Sequence, residues 1–143
     1  GKITSSVVAC NFYPTSNLTL IDTVLNIPYN TARYNNGGFS ISNGEITIPM
    51  DGVYHFQFHV TVDVSVGDSR STSLAVALRN DVTLDSSIVF NYNRNTGHGE
   101  NTGHFSSVLE LSANDVIRVV AKRANGTNTL ICTPNSGITL IRL

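Results

Sequence analysis

Two imidazoles on one face of a short alternating stretch are the side chains in this sequence best suited to chemistry. His55 and His59 flank Gln57, and the apolar residues Phe56 and Phe58 alternate with them. A period of two is typical of a β-strand with one apolar face. Imidazole changes its charge near neutral pH, and its unprotonated nitrogen binds metal ions. The polar face, where Lys, Glu or Ser would be usual, raises the question of what it contacts.

A second group of metal-binding side chains belongs to the longest polar segment, which we predict as a loop over Asn93–Gly103. His98, Glu100 and the adjoining His104 offer two imidazoles and a carboxylate, all of them legitimate zinc ligands. The spacing of the two histidines matches no recognised ligand pattern. We therefore expect a solvated or ligand-contacting loop here and no metal site.

The sequence gives no positive sign of catalysis. Gly67, Asp68 and Ser69 form a turn without the following helix that a nucleophile elbow needs. Cys10 and Cys132 have no histidine near them in sequence, and we expect both to be small buried residues, although a single bridge between them stays open. Two facing carboxylates, which a carbohydrate-active enzyme requires, are not indicated. We predict no enzyme and no catalytic residue.

The aspartates do not indicate a calcium cage, because that ion needs clustered oxygen ligands. Those on predicted turns or strand ends are Asp63, Asp68, Asp81, Asp85 and Asp115. Turn formation accounts for them better. We expect no cofactor, with calcium or a metal ion held by the strand histidines as the alternatives.

The elements that would position these residues are short strands. β-Branched runs recur between clusters of Gly, Asn, Asp and Pro, and no window shows a helical period. The 143 residues match the length of one domain, so we predict a single all-β domain over 1–143. Its roughly nine or ten strands are drawn from the runs 3–12, 18–27, 39–41, 45–48, 53–62, 71–78, 82–92, 105–111, 116–123, 129–132 and 138–143. Residues 29–38 are predicted as a polar loop.

The closing run is apolar on both faces. Ile138 and Leu140 lie on one face, and Ile141 and Leu143 lie on the other. In a two-layer sandwich only one face of a strand meets the core, and a strand that is apolar on both faces must be covered on both. We therefore expect the second face to meet another subunit.

Charge and composition argue against two classes of partner. The net charge is −1 and charged residues make up only 13% of the chain, so we expect no nucleic-acid partner. No apolar run approaches the roughly 18 residues of a membrane span, so we expect no membrane insertion. The low charge and the abundant Asn, Thr and Ser suit a secreted or virion-type β surface.

Three motifs fall on the predicted strands. An aromatic residue and a proline lead into a Gly-x-Tyr-x-Phe pattern at Phe39, Ile46, Ile48-Pro49 and Gly52-Val53-Tyr54-His55-Phe56. A strand, a turn and a second strand follow at Ser106–Leu111 and Asn114–Val119, and Ser136–Ile141 closes the chain. Together the motifs resemble those of the complement-component-1q-like globular domain, a ten-stranded jelly-roll sandwich of the tumour-necrosis-factor type. Asn114 stands in place of the family's usual Gly, and the aromatic before Gly137 is missing.

The resemblance implies a homotrimer whose inner sheets pack around a threefold axis. The strands 53–62 and 138–143 would then belong to the inner sheet, with their outward face toward neighbouring subunits. The implied trimer interface contains Val53, His55, Gln57, His59, Ile141 and Leu143. Copies of His55 or His59 near the axis would suit a metal or an anion, would weaken the trimer on protonation, or would only hydrogen-bond across the interface.

The resemblance also implies a function in recognition. The domain would be the non-enzymatic head of an extracellular, spore-surface or virion fibre protein, binding a cell-surface glycan or protein receptor through exposed loops. The alternative is a purely structural module that trimerises and registers a fibre or stalk. The loop residues expected to contact a ligand are Tyr34, Asn36, Tyr92, Arg94, His98, Glu100 and Asn128.

Overall fold

The computed structural model describes residues 7–143, which fold into two antiparallel sheets of seven strands each. The first sheet has the order β2-β13-β7-β14-β1-β4, and β11 pairs with the other side of β7. The second has the order β10-β8-β12-β6-β5, with β3 beside β12 and β9 beside β8. The strands in chain order are β1 (Ala9–Tyr13), β2 (Leu18–Thr19), β3 (Leu25–Asn26), β4 (Thr31–Asn36), β5 (Ser40–Ser42), β6 (Glu45–Thr47), β7 (Gly52–Val66), β8 (Ser71–Arg79), β9 (Val82–Thr83), β10 (Val89–Asn93), β11 (Asn101–Leu111), β12 (Val116–Asn125), β13 (Thr129–Cys132) and β14 (Gly137–Arg142).

The first sheet is built around β7, the longest strand. Its buried face carries Tyr54, Phe56 and Phe58, as the alternation in the sequence predicts. β11 pairs along one side of β7, and β14 and then β13 pair along the other. Pairing on both sides satisfies the backbone hydrogen-bonding groups of the strand. β7 therefore cannot rotate about its axis, and one of its faces stays directed at the core and the other away from it.

Aromatic rings of the first sheet fill much of the core between the sheets. The ring centroid of Phe58 lies 5.6 Å from that of Phe105 on β11 and 5.9 Å from that of Phe56. The second sheet contributes the small residues Ala75 and Ala77 of β8 to the same core. Small side chains leave room for rings in a close-packed interior, which explains why the alanine face of β8 points inward.

Asn43 and Gly44 form a tight hairpin turn between β5 and β6. β5 and β6 pair with Ser42 opposite Glu45. Asn43 has φ 53° and Gly44 has φ 78°, and a tight two-residue hairpin turn requires such positive angles. A Cβ at Gly44 would lie 2.2 Å from the Ile27 carbonyl oxygen, so the close approach of the chain also needs glycine.

Several strand boundaries differ from the sequence-based expectations. Residues 29–38, predicted as a loop, contain β4, which pairs with β1 at the edge of the first sheet. Polar side chains are common on edge strands, and they hid this strand from the hydrophobic pattern. The predicted run 18–27 is reduced to β2 and β3, because Ile21 and Val24 are exposed between them.

The strand count rises from the expected nine or ten to fourteen among the described residues, because the runs 18–27 and 82–92 each divide into two strands and the predicted loop 29–38 contains β4. The run 82–92 divides into β9 and β10, and the buried Ser87 between them donates its hydroxyl to the Leu84 carbonyl at 2.7 Å. Residues 3–6 of the first predicted strand lie outside the described residues. Residues 7–143 contain no helix that is long and apolar enough to cross a membrane.

Candidate functional site

The residues predicted for the subunit interface lie together on the outward face of the first sheet, which we call the histidine face. Four of them alternate with buried residues along β7. Ile141 lies directly opposite His55, and the backbone N–H of Leu143 donates to the Val53 carbonyl at 2.8 Å. The residues thus brought onto one surface are Val53, His55, Gln57, His59, Ile141 and Leu143.

β11 extends the histidine face with residues that the sequence reasoning missed. Val108 lies opposite His55 and is 59% exposed although it is apolar. Its neighbours Phe105 and Leu109 pack against the core. The alternation of core-facing and outward residues along this strand was the signal that could have placed Val108 on the same surface.

The structure corrects the predicted position of His104. We predicted it in a polar loop, but β11 begins at Asn101 and places His104 directly opposite His59. Gly103 misled the prediction, because glycine is usually read as a strand breaker. Here a Cβ at Gly103 would lie 2.1 Å from Val89, so glycine allows the close approach of the second sheet.

His59 is half-buried and constrained by its neighbours. Its ring lies against Gly137 of β14, where a Cβ would be 2.7 Å from the ring Cε1 atom. Burial lowers the pKa of His59, a hydrogen bond to the Asn135 backbone acts in the opposite direction, and electrostatic interactions with His104 and Arg33 lower the pKa further. The folded domain therefore favours the neutral imidazole.

We expect the free energy of unfolding to fall as the pH drops from neutral through about 6.5, the ordinary pKa of histidine. Because the pKa of His59 is lower in the folded state, the unfolded chain binds more protons in this window and acid favours it. Denaturant unfolding at about pH 7.5 and about pH 5.5, at one protein concentration, measures the effect. His59→Gln should reduce the pH dependence, and an equally steep dependence in that variant would contradict the assignment.

The candidate ligand residues are divided between opposite edges of the sandwich. Tyr34 and Asn36, predicted in a loop, lie on the edge strand β4, and Tyr34 pairs with Asn11. Tyr92, also predicted to contact a ligand from a loop, lies on β10, the edge strand of the second sheet. β10 packs beside β11, and β11 forms the edge of the first sheet opposite β4. The structure does not bring Tyr34 and Tyr92 together within one protomer.

The second edge carries exposed aromatic side chains, and we call it the aromatic edge. Phe90 is 64% exposed and Tyr92 is 51% exposed on the same side of β10. Arg94, His98 and Glu100 follow in the loop that joins β10 to β11, and all three are exposed. The aromatic edge therefore consists of Ile88, Phe90 and Tyr92, with this loop beside it.

The prediction that Asn128 contacts a ligand is also corrected, because its side chain is buried and only 1% exposed. Its Oδ1 accepts hydrogen bonds from the N–H and the hydroxyl of Ser69, at 3.2 and 2.9 Å. Its Nδ2 donates to the carbonyls of Ser69 and Arg94, at 2.6 and 2.8 Å. Asn128 therefore joins three loops, those that follow β7, β10 and β12, and is not available to a ligand.

We expect Asn128→Ala to lower the free energy of unfolding by about 1–3 kcal/mol, because the variant loses the four hydrogen bonds that the buried Asn128 amide makes to Ser69 and Arg94. Urea unfolding followed by fluorescence or circular dichroism measures the change. Asn17→Ala, at an exposed position, is the matched control and should have little effect. Equal stability of the two variants would contradict the structural role of Asn128.

A family model described as the C1q domain matches residues 12–136. The chain belongs to the C1q domain family. The match runs from β1 to the turn before β14. It includes β7, which carries His59, and β11, which carries His104. C1q and tumour-necrosis-factor-like domains typically form trimers, bind partners and are secreted or extracellular, and they are generally not enzymes. No curated protein sequence matches this C1q domain.

Solved structures with the same fold cover 96% of this C1q domain. Murine APRIL at pH 8.5 is 14% identical with a TM-score of 0.67, and 100% of its chain is covered. Eiger TNF from S. frugiperda is 16% identical with a TM-score of 0.66 and 92% covered. The globular domain of zebrafish complement 1qA is 16% identical with a TM-score of 0.64 and 98% covered. At these identities the similarity establishes the fold, and it confirms the expected jelly roll of the tumour-necrosis-factor type.

The two thiols of this C1q domain are buried and free. Their predicted burial is confirmed, and the alternative of a bridge between Cys10 and Cys132 is not realised. Burial raises the pKa of Cys10 to about 12 and that of Cys132 to about 11. Both thiols therefore stay protonated at neutral pH, and a protonated thiol is a poor nucleophile.

The aspartate with the most contacts is structural. Asp115 lies 2.7 Å from the Arg79 guanidinium and accepts hydrogen bonds from the Asn80 side chain and the Ser112 backbone. Burial acts to raise the pKa of Asp115, but these hydrogen bonds and the Arg79 charge together lower it. The part of the chain that the structure describes contains no cluster of three or more His, Cys, Asp or Glu side chains that could hold a metal ion.

Proposed function

We propose that this C1q domain is the non-enzymatic, trimeric recognition head of an extracellular, spore-surface or virion fibre protein. The observation that supports the trimer best is the apolar part of the histidine face. Val53, Val108 and Leu143 are 44%, 59% and 69% exposed in the protomer. Monomeric soluble proteins rarely expose contiguous apolar patches larger than roughly a few hundred Å², and neighbouring subunits around a threefold axis would remove this surface from water.

Recognition is proposed for the aromatic edge and the loop that follows it. Phe90 and Tyr92 present large exposed rings, and Arg94 follows directly. Aromatic and arginine side chains carry much of the binding energy at protein interfaces, and rings with a polar tip suit both apolar and hydrogen-bonding contacts. A cell-surface glycan or protein receptor is the partner that this composition favours.

Glycan arrays and receptor-binding assays on the purified assembly test this proposal. A Phe90→Ala/Tyr92→Ala double variant should lose binding of the glycan or receptor, while the number of subunits in its assembly stays unchanged. Val82→Ala, at an exposed position on the same sheet, should bind like the parent. Loss of the assembly in the double variant would instead assign the aromatic edge to a subunit contact and would contradict its role in recognition.

A structural trimerisation module is the second candidate. It is favoured by the separation of the candidate ligand residues, since Tyr34 and Tyr92 lie on opposite edges and Asn128 is buried. A heat-stable trimer that binds nothing in these assays would support this candidate over the first.

A further inference from the structure

One of the three Asn-Gly pairs in this chain is arranged for a reaction with its own backbone. The pairs are Asn36-Gly37, Asn43-Gly44 and Asn125-Gly126. Asparagine is a thermolabile residue, and a following glycine leaves its own backbone nitrogen open because it has no Cβ. That nitrogen can attack the amide carbon of the asparagine and close a succinimide ring. The structure distinguishes the three pairs by the contacts that hold each asparagine.

The Asn125 side chain is folded over the nitrogen of Gly126. Its Oδ1 accepts a hydrogen bond from the Gly126 N–H at 2.8 Å, and the Cγ carbon is one C=O bond, about 1.2 Å, from that oxygen. Reactions are accelerated when the reacting atoms are held about 3–3.5 Å apart in a suitable orientation. Asn125 is exposed at the end of β12. The nucleophile and the amide carbon are therefore adjacent at a position that solvent reaches.

Asn36 is held by a different contact. Its Nδ2 donates to the Val7 carbonyl, and its backbone pairs with Ala9 in the edge strand β4. A Cβ at Gly37 would lie 2.6 Å from the Val8 side chain, so the backbone that follows is closely packed as well. Ring closure at Asn36 would first have to break these contacts.

Asn43 is held by the hairpin between β5 and β6. Its backbone carbonyl accepts a hydrogen bond from the Asn26 side chain at 3.1 Å, and the strands on either side of the turn are paired. The close approach of Gly44 to the Ile27 carbonyl oxygen holds the same peptide unit from the other side. Ring closure needs rotation of this peptide unit, so we expect the folded hairpin to slow the reaction.

We propose that Asn125 is a site of spontaneous deamidation, through which the folded domain gains a negative charge. The Gly126 nitrogen loses its proton and bonds to Asn125 Cγ, the Cγ–Nδ2 bond breaks, and ammonia leaves. Water then opens the ring on either side of the nitrogen. Cleavage of the bond to Cγ gives aspartate, and cleavage of the bond to the main-chain carbonyl carbon of Asn125 gives isoaspartate. The net reaction consumes water and releases ammonia, and it needs no cofactor.

The isoaspartate product should be the more disruptive of the two. Its main chain is longer by one carbon just before Gly126, where a Cβ would already lie 2.5 Å from the Arg70 carbonyl oxygen. Close behind it, the Asn128 N–H donates to Ser71 Oγ at 3.1 Å. The longer chain must displace these contacts, whereas aspartate keeps the backbone unchanged. Asn125→Asp should therefore unfold like the parent, and the isolated isoaspartate form should unfold at a lower denaturant concentration.

Peptide mapping by mass spectrometry, after the folded domain has been kept in warm and mildly alkaline buffer, tests the site. We expect deamidation at Asn125 to be several-fold faster than at Asn36 or Asn43. The matched control is the same chain unfolded in urea, in which the three pairs should react at similar rates. These readouts do not depend on the proposed trimer or on the proposed recognition surface.

Asn125→Gln gives a second test, because glutamine would have to close a larger ring. The variant should lose the acidic species that forms first in the parent and separates from it on ion-exchange chromatography. Deamidation of Asn36 or Asn43 as fast as that of Asn125 in the folded domain would overturn the proposal. An Asn125 that reacts only in the unfolded chain would also overturn it.

Discussion

Replacement of Val108 by glutamate is expected to dissociate the assembled domain into monomers. Val108 lies opposite His55 and is exposed in the protomer, so the charge should be harmless in a monomer. In the proposed trimer the same position is covered, and a charge without a partner there costs about 2–5 kcal/mol at each contact. Because a trimer repeats the contact three times, the dissociation constant should rise by many orders of magnitude.

Sedimentation velocity at several protein concentrations measures this effect. Val82→Glu is the matched control, because Val82 is an apolar residue that is 69% exposed on the other sheet. The control should sediment like the parent, whereas Val108→Glu should sediment as a monomer with unchanged circular dichroism. Identical sedimentation of the two variants would contradict the placement of the histidine face at the subunit contact.

The second large effect concerns the core, where Phe58→Ala should lower the free energy of unfolding by about 3–5 kcal/mol. Phe58 is fully buried, and its ring packs against Phe56 and Phe105. The three rings join the two longest strands, β7 and β11, so truncation leaves a cavity that the paired backbones cannot readily close. The same two strands carry the histidine face, so the loss of the Phe58 ring should also make the arrangement of the side chains on that face less stable.

Equilibrium urea unfolding at a fixed protein concentration measures the change, since association couples to apparent stability. Phe90→Ala removes the same ring from an exposed position, so its effect should stay within about 0.5 kcal/mol. If Phe58→Ala were no more destabilising than Phe90→Ala, the aromatic cluster would not be the centre of the core.

The strict alternation of apolar and polar residues in strands, and turn residues that tolerate positive φ angles, allowed much of the fold to be predicted from the sequence. Phe56 and Phe58 alternate with polar residues and placed β7 with the correct face inward. Asn43-Gly44 has few conformational alternatives, so the hairpin was also predictable. The strand β4 was not, because Tyr34 and its polar neighbours pair only at an edge and carry no hydrophobic period.

The candidate site was predictable where it follows strand alternation and unpredictable where it depends on pairing between distant strands. His55 and His59 share a face by sequence alone. His104 joins His59 only through the register of β7 with β11, which no local pattern reveals. Asn128 looked like an exposed loop residue because its hydrogen-bond partners come from loops far away in the sequence, at Ser69 and Arg94.

The two faces of β7 connect the fold to the proposed function. Tyr54, Phe56 and Phe58 anchor the core on one side, and the opposite side presents the histidine face to solvent. Apolar exposure at Val53 and Val108 next to half-buried imidazoles is a composition suited to a covered surface. Assembly and any response to protonation would therefore act through the same strand pair.

The molecular mass of the purified domain in solution tests the central claim most directly. Sedimentation equilibrium at micromolar concentration and neutral pH should give three times the protomer mass of 15.4 kDa. Val108→Glu should give the mass of a single protomer under the same conditions. A parent domain that remains at 15.4 kDa across the accessible concentrations, or a trimer that Val108→Glu leaves intact, would contradict the claim that the histidine face is a trimer contact.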